Sequence, residues 1–271
     1  MDELNDFEND LPVFYTDYLA LWQEVQKKVT DESINTKYAE ISKTLGQFAE
    51  LNNQFISIFN TETQKVLFLS NNYLKVMGYN CKEEDYKKYS VMYWMRDMPI
   101  NQSWFFMQMS LFFRNTVQPL LKANPQDKSL KWYLHNFKLT PPGSYKHNIS
   151  LTCSGLEFTQ NGNMVVMLLI IKDIASLVKE NTKWWAEFTI NGNQRFHYHE
   201  SGKKFIKGSI FSEREKEVYT LIKEGFDTKS ISEKLFLSIH TVEKHRKNML
   251  EFTGAKDFSS LIQICTLGNI I

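Results

Sequence analysis

The stretch LFLSIHTVEKHRKNMLEFTGA, Leu235 to Ala255, decides how the C-terminal part of this chain is read. Ser238 stands where a helix N-cap accepts hydrogen bonds from the amides that follow, and Gly254 supplies the backbone freedom that ends a helix. At about 100° per residue, Ile239, Val242, His245, Met249 and Thr253 gather on one side of that helix. Lys244, Lys247, Asn248 and Glu251 gather on the other. The first side is suited to packing, and the second is free either to meet a partner or simply to be solvated.

What precedes the stretch bears on that choice. Ser212 followed by Glu213 and Glu215 is an N-cap with acidic groups in the first turn, Val218, Leu221 and Ile222 form a buried stripe, and Gly225 closes the helix. A short helix from Asp227 or Thr228 buries Ile231 and Leu235, the turn Phe236-Leu237-Ser238 follows, and a fourth helix begins at Asp257 or Ser259. Two short helices joined by a tight turn, the second exposing Lys, Arg and Asn, is the helix-turn-helix plan for entering a DNA major groove. Lys, Arg and Asn read base edges, while Ser and Thr hydroxyls and cationic side chains meet phosphates.

The segment from Phe211 to Leu261 resembles the LuxR/GerE-type DNA-binding domain. The landmarks are Ser-x-Arg-Glu-x-Glu-Val at Ser212 to Val218, Glu224-Gly225, Lys229, Ile231 and Leu235, Ser238 with Thr241-Val242, His245 and Gly254. The resemblance implies that Glu243, Lys244 and Lys247 face the bases and that Lys229, Ser238, Thr241, Arg246 and Asn248 contact phosphates or base edges. Glu243 departs from the basic or polar residue usual in that family. It accepts from a cytosine amino group or pairs with Lys247 one turn on, the second being the expectation.

Upstream the pattern changes. Phe14, Tyr18, Leu21, Trp22 and Val25, then Ile41, Leu45 and Phe48, repeat at helical spacing. FISIF and KVLFLS read as a hairpin, and SLKWYLHNFKLT, YKHNISLTCSGLEF and MVVMLLIIKDI as three further strands joined by PPGS and QNGN. WWAEFTI, QRFHYHE and KKFI are short strand-like pieces in a polar stretch, read as a connector with one hairpin. The region from about Gln54 to Val178 loosely resembles a PAS domain, which implies a five-stranded antiparallel sheet with helices over one face and room for a ligand, haem or flavin.

Cofactor chemistry finds little footing. Gly78-Tyr79-Asn80-Cys81 lacks the continuation of a flavin motif, His135 and His147 are the candidate haem ligands, and His197 and His199 share a strand face without a third metal ligand. Dense Met and aromatic residues from Trp94 to Phe113 read as core. No phosphate loop, His-Glu-x-x-His or Gly-x-Ser-x-Gly occurs, so an enzyme is not expected and neither cofactor nor metal is assigned. Three scattered cysteines suggest a reducing cytoplasm, and the longest apolar run, Met164 to Ile171, is too short to span a membrane. A net charge of +1 requires any DNA contact to be a local patch.

The expectation is therefore an α+β chain of 271 residues. Residues 1–50 form amphipathic helices, 51–180 the PAS-like five-stranded sheet with helices, 181–208 the connector and 209–271 an all-α four-helix helix-turn-helix domain. Its expected partners are double-stranded DNA and a second copy of itself, with RNA polymerase and a small-molecule ligand of the PAS-like part left open. The alternative keeps the DNA reader but makes the PAS-like part a ligand-free protein-interaction scaffold.

Overall fold

A computed structural model describes residues 37–38, 44–47, 49, 54–70, 73–126, 128–141, 143 and 146–271. The amphipathic helix expected over Leu11 to Gln26 lies outside the described residues. From residue 54 onward the described elements run as a hairpin, a helical layer, six strands and four helices. The hairpin is β1 (Phe55–Asn60) and β2 (Lys65–Leu69), and the helical layer is α1 (Tyr73–Met77), α2 (Glu83–Asp97), α3 (Ile100–Phe112) and α4 (Gln118–Ala123), with a π-helical turn at Phe113–Val117. Then come β3 (Leu130–Leu139), β4 (His147–Phe158), β5 (Met164–Asp173), β6 (Trp185–Ile190), β7 (Gln194–His199) and β8 (Phe205–Lys207). The C-terminal helices are α5 (Glu213–Lys223), α6 (Thr228–Leu235), α7 (Ile239–Thr253) and α8 (Phe258–Gly268).

All strands among the described residues join one antiparallel sheet in the order β2-β1-β5-β4-β3-β6-β7-β8. The expected five strands are thus corrected to eight. The strand-like pieces after residue 181 do not stand apart: β6 pairs along β3, Trp132 opposite Phe188, and so prolongs the sheet. Those pieces are short and polar on one side, which is how an edge hairpin reads, and only the partner strand shows where it attaches.

Each face of the sheet has its own cover. On the inner face, Trp132, Leu134, Leu151, Cys153, Ala186, Phe188 and Tyr198 form one core with Tyr73, Tyr86, Phe105, Phe112 and Phe113 of the helical layer. On the outer face, Tyr133 and Trp185 share a second core with Val218, Ile231, Val242, Met249, Leu261 and Ile264 of the C-terminal helices. The period-two alternation of strand side chains sends neighbours on β3 and β6 into different cores.

Polar bonds anchor the four-helix unit to that outer face in three places. Glu187, buried on β6, accepts from Arg195 Nη1 (2.7 Å), Ser209 Oγ (3.1 Å) and the Ile210 amide (2.9 Å), holding the chain just before α5. Gly254, which ends α7, accepts from the Lys179 amide (2.9 Å), and Val178 and Ala255 form an antiparallel bridge. Thr152 Oγ1 donates to the Leu267 carbonyl (2.9 Å), and Arg195 Nη1 donates to the Ile270 carbonyl at the end of α8.

Candidate nucleic-acid interface

Each helix of the C-terminal unit is begun by a side chain that satisfies an otherwise orphaned amide. Ser212 and Glu215 form a capping box at α5, Asp227 accepts from the Ser230 amide (2.8 Å), Ser238 from the Thr241 amide (3.0 Å) and Asp257 from the Ser260 amide (2.7 Å). Those backbone amides hold the Asp227 and Asp257 carboxyls below the ordinary aspartate value. Gly225 (φ 90°) and Gly254 (φ 69°) close α5 and α7 in the left-handed region.

Within the unit, Val218, Tyr219, Ile231, Val242, Met249, Leu261 and Ile264 are buried, whereas Leu221, Ile222 and Leu235 are only half-buried. Burial pushes the Cys265 thiol up to about 12 against its Tyr219 neighbour, so it is a packing residue. Arg214 spans two helices, its Nη2 donating to the Leu235 carbonyl (2.7 Å) and its Nη1 pairing with Glu217. The arginine of the Ser-x-Arg-Glu run therefore fixes the end of α6, and with it the turn into α7.

The expected contact residues divide by surroundings. Glu243, Lys244, Lys247 and Asn248 are exposed on α7, Ser238 is exposed at its start, and Lys229 is exposed on α6. Thr241 is half-buried, its hydroxyl 2.7 Å from Ser238 Oγ. Arg246 is half-buried too, with its guanidinium over the Phe258 ring at 4.1 Å, directed towards α8 rather than along the Lys244 face. The expected partner of Lys247 is also different: its Nζ lies 3.6 Å from Glu251, one turn towards the C-terminus, and not against Glu243.

Residues outside the expected contact set flank this face. Ile239, expected to pack inward, is 50% exposed, His240 is exposed, and Phe236 is 95% exposed with a left-handed backbone (φ 53°) at the close of α6. An apolar residue in the first turn of a helix has no preceding turn to cover it, which a helical wheel does not register. Among the described residues no three His, Cys, Asp or Glu side chains gather as a metal site, and no helix is long and apolar enough to cross a membrane.

Both candidate haem ligands have partners within the fold. His135 lies on the outer face with both ring nitrogens engaged, Nε2 with the Thr253 carbonyl (2.9 Å) and Nδ1 with Tyr133 Oη (3.2 Å). His147 is buried 3.5 Å from Asp173. Further along the sheet, His197 Nδ1 is 3.0 Å from the Gly208 carbonyl, and His199 Nδ1 accepts from the Ser201 amide (3.1 Å).

Residues 209–264 match the family model "Bacterial regulatory proteins, luxR family". The oxygen regulatory protein NreC of Staphylococcus aureus strains JH9 and JH1 is 34% identical over 86 residues, 32% of this chain and 37% of the relative. The match thus spans little more than a third of that relative's length. Among solved structures, the Vibrio cholerae VqmA dimer without target DNA aligns with 83% of this chain and 86% of its own, at 14% identity and a TM-score of 0.27. A VqmA-ligand-DNA complex aligns with 82% and 85%, at 14% identity and a TM-score of 0.28. Likeness that slight leaves the architecture to be read from this chain's own strands and helices. Residues 209–264 thus form a LuxR-type helix-turn-helix domain, joined to an antiparallel sheet-and-helix domain.

Proposed function

We propose that this protein is a sequence-specific DNA-binding transcription regulator whose LuxR-type domain, residues 209–271, reads DNA as a homodimer and whose PAS-like domain receives the signal. The observation that carries the reading is the exposed face of α7, where Lys244, Lys247 and Asn248 stand on a helix capped at Ser238 and closed at Gly254. Such a helix holds cationic and amide groups in register with base edges, while Lys229, Ser238 and Thr241 flank it as phosphate contacts. Glu243, which Lys247 does not engage and which lies near Arg246, would accept from a cytosine amino group. Arg246, packed on Phe258, supports α7 and is the least suited of the set to reach DNA. Two copies read two half-sites, so target spacing follows the geometry of the pair.

Lys247→Ala is expected to weaken binding to the preferred sequence by roughly 1 to 3 kcal/mol and to relax preference at one position. Lys229→Ala is expected to weaken binding to every sequence and to reduce the salt slope by about one unit. Salt-titrated mobility shifts separate the two, and parental binding by both variants would sink the assignment of this face.

A small-molecule signal is favoured over a ligand-free scaffold by one feature of the PAS-like part. Between the inner face of the sheet and the helical layer lies a cavity of about 110 Å³, walled by Trp132, Tyr73, Tyr86, Phe106 and Met109. Among the described residues no charged side chain lines it. Gln64 Oε1 and Ser90 Oγ are buried in its wall without hydrogen-bond partners, a costly state that a bound donor would relieve. The occupant that suits this wall is small, uncharged and mainly apolar, with one or two hydrogen-bonding groups. Native mass spectrometry of the full chain would detect it as a retained mass that Cys153→Phe abolishes, whereas the scaffold reading expects the bare chain in both.

A further inference from the structure

Strand β3 changes phase at one point. Up to Leu134 its even-numbered residues face the inner core and its odd-numbered ones, Tyr133 and His135, face the reader; beyond it, Phe137 and Leu139 belong to the inner core instead. The pairing with β4 explains the change. Leu134 lies opposite Leu151 and Phe137 opposite Ile149, so His135 and Asn136 together face the single residue Ser150. This is a β-bulge, the device by which a strand re-aims side chains, and its second residue, Asn136, has a left-handed backbone (φ 55°).

Both bulge residues are polar, fully buried and directed at one place. His135 Nε2 donates to the Thr253 carbonyl (2.9 Å) in the last turn of α7, while its ring stacks on Trp185 at 4.7 Å. Burial pushes the imidazole down to about 3, so the ring is neutral and the Nε2 proton is its single donor to α7. Asn136 Nδ2 donates to the Thr182 carbonyl (2.5 Å), and Thr182 lies so close to Gly254 that a β-carbon there would come within 2.1 Å of it. Two buried polar atoms at the same place, Asn136 Oδ1 and Trp185 Nε1, have no partner. Left-handed backbone and unmet polar atoms cost stability and persist where the surroundings over-determine the geometry.

We propose that the His135–Asn136 bulge is the joint that sets the angle of the recognition helix α7 to the sheet, with His135 a positioning residue for the DNA-reading face. The inference rests on the DNA-reading function proposed above. Three residues before the bulge, on the same strand, Trp132 forms part of the cavity wall. A displacement of that wall therefore reaches α7 through a single strand, without passing through the chain connection at Gly208.

The test uses the full chain with Cys81→Ser, Asn115→Cys and Gln263→Cys, spin-labelled at the two introduced and exposed positions, and measures the distance distribution between the sheet domain and the reader. The parent is expected to give one narrow peak. His135→Leu should at least double its width, and His135→Gln, which keeps an N–H donor, should restore it. On two-half-site DNA, His135→Leu should reduce discrimination between the best spacing and one shifted by a base pair several-fold, with affinity for a single half-site unchanged. Should His135→Leu fail to fold, Asn136→Gly takes its place, since glycine accepts the backbone and removes the bond to Thr182. A broad peak in the parent, or a narrow one in every variant, would overturn the joint. A parent that binds no DNA while the distances behave as expected would refute the DNA reading alone.

Discussion

The reader and the sheet domain show their construction at different ranges. In the reader, every helix carries its own start signal, Ser212, Asp227, Ser238 or Asp257, each accepting from the amide three residues on. In the sheet domain α2, α3 and α4 have no side-chain cap, and a strand's role depends on what lies across it. β5 is apolar nearly throughout because Ile171 faces the inner core while Val165 and Val166 face a cover that includes Tyr38. Local chemistry specifies the reader; two-sided burial specifies the sheet.

That contrast can be broken most directly at Trp185, a fully buried sheet residue whose ring packs among reader side chains. Trp185→Ala is expected to lower the stability of the whole chain by about 3 to 5 kcal/mol. Because the two regions share that core, urea unfolding of the parent should be a single transition by tryptophan fluorescence and by circular dichroism. Two separated transitions would mean that the reader's stability is its own.

The caps test the local half of the contrast. Ser238→Ala is expected to cost about 1 kcal/mol, with the loss seen as faster amide exchange in the first turn of α7 and none in β3 to β6. A smaller effect concerns pH. The Asp227 and Asp257 carboxyls are held below the ordinary value of 3.8, so their contribution is present above that value and fades as pH falls through the lower values of the folded state. Asn at both positions keeps the caps and should remove that part of the acid dependence, measured as urea midpoints in acid against neutral solution. Unchanged acid dependence would locate the sensitivity in the sheet domain instead.

The smallest expected change is at the Lys247–Glu251 pair, whose partners are mostly exposed. Glu251→Gln should alter stability by less than about 0.5 kcal/mol. Freed from Glu251, Lys247 should bind DNA at least as well as in the parent, and a clear loss of binding would show that the pair orients the lysine.

Much of the reader was legible in the sequence because caps and glycine stops act within four residues. Ser212, Gly225, Ser238 and Gly254 stand at the ends where they were expected. Ile239 was misjudged because a wheel treats a first-turn residue like one in mid-helix. The size of the sheet was not legible. The pairing of His135 with Trp185 joins positions far apart in the chain, and nothing in QRFHYHE shows that Phe196 and Tyr198 cover the inner core while Arg195 reaches the end of α8. The bulge was hidden for a related reason, since an extra residue in β3 is visible only against β4.

The three anchors on the outer face bear on how the reader can move. Glu187 holds the chain before α5, His135 and Thr182 hold the end of α7, and Thr152 and Arg195 hold the end of α8. Three anchors together with the shared core fix the reader's orientation on the sheet, and loss of one anchor would leave rotation about the axis through the other two as the least restrained motion. Which anchor is lost selects the axis, and so the direction in which the lysines of α7 travel. Releasing the end of α8 would leave an axis through the start of α5 and the close of α7, so the end of α8 would move most while the C-terminus of α7 stayed near its pivot.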